Sequence, residues 1–204
     1  MSSTFRGRLD EADEFFMRRG KVHQTMERIA QRLASEGIPY VIIGGMAINA
    51  LGYERVTTDV DLLTTREGLD EIHKKLVGRG YMPAFQGARK AFRDTTTSVK
   101  VEFITTGEYP GDGKPKPVVF PDPRDVTIEI EGINVIQLEK LIELKLASGL
   151  SAPHRIFDLG DVAHLIQSLN PPRELGEKLD PTVRDEFYRL WDASQNVAWD
   201  PSKQ

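Results

Sequence analysis

The stretch RVTTDVDLLT, residues 55–64, sets Asp59 and Asp61 one residue apart in a run that otherwise reads as a strand. Residues two apart on a strand point the same way. The two carboxylates therefore share one face, with Cα atoms roughly 6.5 Å apart, while Val60 and Leu62 point to the other face and can be buried. Two like charges so placed repel unless a cation sits between them, and hard divalent ions such as Mg²⁺ prefer oxygen ligands of this kind. A solvated outer strand face would carry the same pair, so D-x-D alone leaves both readings standing. An EF-hand is excluded, because Leu63 occupies the third ligand position and the loop glycine is missing.

The neighbours of this strand narrow the choice. Upstream, YVIIGG (40–45) reads as a short buried strand broken by Gly44 and Gly45, and the following MAINALG suits a short helix. A glycine pair at a strand-to-helix turn lets backbone N–H groups approach phosphate oxygens, although tight turns use glycine everywhere. Arg55 and Thr57 precede the aspartates at alternate positions and offer a guanidinium and a hydroxyl to a metal–phosphate site. Downstream, SVKVEFITT (98–106) alternates again, with Val99, Val101 and Phe103 on one face and Lys100 and Glu102 on the other. If this strand lies beside the aspartate strand, Glu102 becomes a third carboxylate of the cluster; otherwise it is an ordinary exposed strand residue.

Helical spacing of Val22, Met26, Ile29, Ala30 and Leu33, stopped at Gly37, predicts a helix before the first strand. REGLDEIHKKLVGRG is a second helix, KAFRD a further strand, and VTIEIEGINVI a hairpin turning at Glu131-Gly132. The segment 107–125 is rich in proline and glycine and reads as a long surface loop, either functional or a plain connector. LEKLIELKLAS, RIFDLGDVAHLIQSL and a segment opening at Asp180-Pro181 are helices. The expected organisation is a core over residues 1–135, with residues 1–20 as an N-terminal arm, and a helical portion over 136–204 that completes the active-site cleft.

The 204 residues are 39% hydrophobic and 28% charged, a composition that can build a core. Cysteine is absent, which excludes disulfides, thiolate metal sites and a cysteine nucleophile and fits a reducing, cytoplasmic setting. No apolar run reaches the roughly 20 residues that cross a membrane. The net charge of −4 means that a nucleic-acid partner would need a local basic patch. GARKAFRD supplies Arg89, Lys90 and Arg93 beside Phe85 and Phe92, a grip for RNA phosphates and a base or simply a basic strand edge. There is no G-x-x-x-x-G-K-[ST], no H-E-x-x-H among the histidines, and no G-x-S-x-G.

Gly-Gly, then R-x-T-x-D-x-D, then V-E-F, in that order, resembles the nucleotidyltransferase superfamily related to DNA polymerase β. LIELKLASGLSAPHRIFDLGDV (141–162) is similar to the C-terminal segment of its AbiEii-type toxin branch, with a lysine on a helix followed by R-x-x-D-x-x-D. The resemblance implies an α+β nucleotidyltransferase fold, a mixed β-sheet flanked by helices with a helical C-terminal portion. It implies that Asp59, Asp61 and Glu102 hold Mg²⁺ and that Gly44 and Gly45 cradle the triphosphate. Lys145 would pair with phosphate, and Asp158 or Asp161 would act near the nucleotide or orient Lys145. Solvated helix charges and an (i, i+3) surface pair are the plainer readings of these last residues.

Two departures from the family pattern stand out. Many relatives carry serine where this chain has Gly45, leaving only backbone donors here. The third carboxylate is commonly aspartate, and the longer arm of Glu102 leaves it either a metal ligand or a general base. The implied function is transfer of an NMP from an NTP such as ATP to a hydroxyl on RNA, including tRNA, or on a small molecule. The implied chemistry uses two metals about 3.5–4 Å apart. A toxin role with an antitoxin partner belongs to the same branch. The alternative is a non-catalytic nucleotide-binding or interaction module that keeps the fold.

Overall fold

The computed structural model of the chain describes residues 20–196; the expected N-terminal arm lies almost wholly outside them. These residues form two compact units. The first joins the segment up to Gly107 with Phe120–Gln137, and the second joins Glu108–Val119 with the chain from Leu138 onward. The loop predicted over 107–125 is thus divided between them.

The first unit opens with helix α1 (Lys21–Ser35), which buries Met26, Ile29, Ala30 and Leu33 as their spacing requires. Gly37, at φ +66°, ends it. The N–H of Ile38 donates to the Leu33 carbonyl and that of Gly37 to Ala34, so orphan carbonyls of the last turn are satisfied. Strand β1 (Tyr40–Ile43), helix α2 (Gly44–Ala50), strand β2 (Asp59–Thr64) and helix α3 (Arg66–Lys75) follow. The Thr65 hydroxyl caps α3 by accepting from the Gly68 N–H. Then come β3 (Tyr81–Pro83), β4 (Ala91–Asp94), β5 (Lys100–Thr105), β6 (Thr127–Ile130) and β7 (Ile133–Ile136). The β6–β7 hairpin turns at Glu131-Gly132, both at positive φ, the geometry that matches the twist of paired strands.

The seven strands form one mixed sheet in the order β3-β4-β5-β2-β1-β7-β6. β2 lies at its centre, antiparallel to β1 and parallel to β5. Register sorts the two faces. Phe103, Leu62, Ile42 and Val135 stand opposite one another across four strands, all buried, and Val60, Val101 and Phe92 make a second apolar row. Phe92 and Phe103 meet edge to face, their centroids 5.7 Å apart. The opposite face carries the row Ile43, Asp61, Glu102, Ala91 and the row Asp59, Lys100, Arg93, Met82. One alternation thus supplies a core on one side and the carboxylates on the other.

The second unit is built on helices α4 (Leu138–Ser151), α5 (Ile156–Leu169) and α6 (Pro181–Asn196). Asp180 caps α6 by accepting from the Thr182 N–H. α4 is buried nearly all round, including Glu143, Lys145 and Ser148. The strap 108–119 is pinned to it by the Lys116 ammonium, which donates to the Pro110 carbonyl, to Asp112 and to Ser151 Oγ. Among the described residues, no helix is long and apolar enough to cross a membrane.

Candidate active site

In the parallel β2–β5 ladder Asp61 stands opposite Glu102, and Asp59 opposite Lys100. Asp59, Asp61 and Glu102 each offer an oxygen within 4.8 Å of the others, and all three side chains are half-buried. Among the described residues, this is the one group of three or more His, Asp or Glu placed to share a cation. Three hard oxygen donors at such spacing fit a divalent ion such as Mg²⁺. A cation is drawn there already: Lys100 Nζ donates to Glu102 Oε2 at 2.7 Å. The hydrogen bond to Glu102, with the charges of Glu102, Asp59 and Asp61, holds the Lys100 ammonium above its usual range.

The residues before the acidic strand are tied to it. Thr57 is buried, and its hydroxyl donates to Asp59 Oδ1 at 3.0 Å, fixing that carboxylate's orientation. Gly44 has φ +63°, and a Cβ there would lie 2.2 Å from Asp61 Oδ2. A Cβ on Gly45 would come within 2.8 Å of the Thr57 side chain. The glycine pair therefore lets the β1–α2 turn rest directly on the acidic strand, and a serine at Gly45 would require Thr57 to move. Arg55 is half-buried, with its backbone held at both ends by Asn49. Asn49 Nδ2 donates to the Arg55 and Gly45 carbonyls at 2.8 and 2.9 Å, and Asn49 Oδ1 accepts from the Arg55 N–H.

Asn49 and Lys100 were not singled out by motif. Asn49 is a helix residue whose role depends on a loop folding back. The alternation of β5 puts Lys100 beside Glu102, but the contact requires a side-chain geometry that no spacing encodes.

In the helical unit, Lys145 Nζ donates to Asp158 Oδ1 at 2.9 Å and to Asp161 Oδ2 at 2.7 Å. Ser148 Oγ and Arg155 Nε both donate to Asp158 Oδ2. All but Arg155 are buried. The motif residues thus meet in one network rather than as solvated charges. Burial alone would raise the Asp158 carboxyl; the Lys145 charge, hydrogen bonds from Ser148 and Lys145, and the Arg155 charge outweigh it, and the group titrates below its ordinary value. Glu143, also buried, accepts from the Asp180 N–H at 2.7 Å and ties α4 to the start of α6.

The basic stretch is less concentrated than its sequence. Phe92 is core, Arg89 lies 3.4 Å from Asp70, and Arg93 donates to the Ser98 carbonyl. Phe85 is exposed.

No protein-family model and no curated protein sequence matches the chain. Solved structures do. ANT(2″)-Ia in complex with adenylyl-2″-tobramycin superposes with a TM-score of 0.54 at 14% identity, over 82% of this chain and 97% of that one. The chain has the nucleotidyltransferase fold. A candidate nucleotidyltransferase from Thermotoga maritima is 22% identical over 66% of this chain and 88% of its own, with a TM-score of 0.49. A nucleotidyltransferase-like antigenic protein from Paracoccidioides brasiliensis is 20% identical over 70% and 74%, with a TM-score of 0.46.

Proposed function

We propose that this chain transfers a nucleoside monophosphate from a nucleoside triphosphate to a hydroxyl acceptor, with Asp59 and Asp61 as its metal-binding pair. The observation that carries the reading is the three-carboxylate cluster on the central strands of a nucleotidyltransferase fold, on the face opposite the apolar rows. When bound, a divalent cation supplies Lewis-acid stabilisation of the attacking and departing oxygens. Asp59 and Asp61 would hold it, with Thr57 keeping Asp59 in orientation. Glu102 stands next to them as third ligand or as the group that accepts the acceptor's proton. Gly44 and Gly45 present backbone N–H groups to the phosphates, and Arg55 adds a guanidinium.

In the reaction the acceptor oxygen bonds to the α-phosphorus, the bond to the bridging oxygen breaks, and pyrophosphate leaves. The same reading gives Lys145 the role of a fixed positive charge for phosphate, oriented by Asp158 and Asp161. Two acceptor classes fall within it. The AbiEii-type likeness of residues 141–162 supports RNA, and with it a toxin role and an antitoxin partner. The adenylylated tobramycin of ANT(2″)-Ia supports a small-molecule hydroxyl.

The test supplies Mg²⁺ and each NTP, labelled at the α- or the γ-phosphate, to the protein with total RNA or hydroxylated small molecules. The expected result is label from the α position in the acceptor, with stoichiometric pyrophosphate. Transfer of γ-label alone would make the chain a kinase. Nucleotide binding without transfer to any acceptor would favour the non-catalytic module.

A further inference from the structure

We propose that the groove between α1, α2 and the β6–β7 hairpin is a second ligand site, suited to an amphiphilic monocation: an aromatic or branched apolar body that carries one ammonium. The groove has a volume of about 630 Å³, within the range of small-molecule sites. It lies on the face of the sheet opposite the carboxylates. Val135, on its floor, stands in register with Ile42 and so with Leu62 in the buried apolar row. Tyr40, also on the floor, is two residues from Ile42 on the same strand and shares its face. The site is therefore separate from the acidic cluster, and it does not rest on the transfer reaction.

Small residues leave the opening. Ala30 and Ala34 line it from α1, Ala50 from α2 and Gly132 from the hairpin turn. A Cβ added to Gly132 would meet nothing within 4 Å. Met26, Tyr40, Met46 and Val135 are buried and give the groove an apolar floor. Thioether side chains adapt to the shape of an aromatic body and attract its ring. Burial, opposed by a backbone hydrogen bond at Asn134 and assisted by the Glu129 charge, pushes the Tyr40 phenol up, so the floor carries no anion. Charge at the rim then selects the head group. Glu27 on α1 and Glu131 at the hairpin turn are exposed there, and no Lys or Arg is among the described residues that line the groove. Glu27 makes no ion pair with another described residue, so its carboxylate is available to an incoming ammonium. An anion would meet repulsion at the rim, and a polyamine without an apolar body would leave the floor uncovered.

The experiment compares three molecules that share one apolar body: 3,3-diphenylpropylamine, 3,3-diphenylpropanol and 3,3-diphenylpropionate. Each is titrated into the full chain at about pH 8, where an ordinary histidine is neutral and an alkylamine is charged. Binding is followed by ¹H–¹⁵N NMR, with the Asn49 side-chain amide and the Gly132 N–H as reporters from the groove walls. The amine is expected to bind with a Kd below about 1 mM. It should bind about fivefold tighter than the alcohol and about tenfold or more tighter than the acid. Glu27→Gln should at least halve the amine's advantage over the alcohol. Ala34→Leu, and Ala50→Leu from the opposite wall, should weaken amine and alcohol alike by about tenfold, because they fill the groove. Melting curves check that each variant is folded. No response to the amine, equal binding of the amine and either analogue, or a response confined to the carboxylate face would overturn the proposal. So would undiminished amine binding in both filled variants. Groove resonances that move with protein concentration and not with the amine would also overturn it, and would make the groove a contact between copies of the chain.

Discussion

At the scale of single residues, the site depends on atoms that are missing as much as on atoms that are present. Gly44 is left-handed, and a side chain there costs a non-glycine residue roughly 1–2 kcal/mol before any contact is made. The Asp61 carboxylate then stands where the methyl group would go. Gly44→Ala is therefore expected to lose stability by about 2 kcal/mol or more in denaturant unfolding, and to weaken Mn²⁺ binding by displacing Asp61. Gly37→Ala has the same φ penalty but open space around it, and serves as the control: it should lose stability without weakening Mn²⁺. Equal Mn²⁺ affinity in folded Gly44→Ala would show that the turn does not position the aspartate.

Among the elements, α4 and α5 are joined through charge. α4 packs against α5 and α6, is covered on most sides, and holds Lys145 at 8% exposure between two aspartates. Removing one partner of a buried ion pair typically costs 3–5 kcal/mol, because the other charges remain buried. Lys145→Ala should thus lower stability by about 3 kcal/mol. Adding Asp158→Asn and Asp161→Asn should recover part of that, as thermal melting would show. Lost transfer by Lys145→Ala alone would then say little about phosphate binding. The network also predicts an acid limb. The Asp158 carboxyl is depressed in the folded chain, so its contribution is present above the unfolded value, about pH 4. It is lost as pH falls through the lower folded value. Melting temperature should fall more steeply below about pH 4 in wild type than in the variant with Lys145→Met, Asp158→Asn and Asp161→Asn. Parallel profiles would remove Asp158 from the account.

The same elements show what the sequence makes legible. Periods of two and 3.6 residues are local, so the DVDLL and VKVEF strands, the stop at Gly37 and the Glu131-Gly132 turn could all be read directly. The pairing of β2 with β5 joins segments far apart in the chain, and alternation says only that Glu102 would join the aspartates if they were neighbours. The burial of Lys145 was not legible, because it follows from what covers α4. The segment 108–119 is irregular, as the prolines and glycines of 107–125 predict, but they do not encode the bond from Lys116 to Ser151 that ties it to α4.

At the scale of the molecule, charge and fold bear on the acceptor and the donor separately. A net charge of −4 gives no long-range attraction for RNA, and the basic stretch 87–94 spends Arg89 and Arg93 on local partners. The acceptor therefore needs its own experiment, whereas the donor side rests on two aspartates. The most direct test is calorimetric binding of a non-hydrolysable NTP analogue to wild type and Asp61→Asn, each with Mg²⁺ and with excess chelator. The account predicts binding to wild type that needs Mg²⁺, and at least tenfold weaker binding to Asp61→Asn, whose melting temperature equals or exceeds that of wild type because a like-charge repulsion is relieved. Nucleotide binding of equal strength without metal, or undiminished in Asp61→Asn, would contradict it.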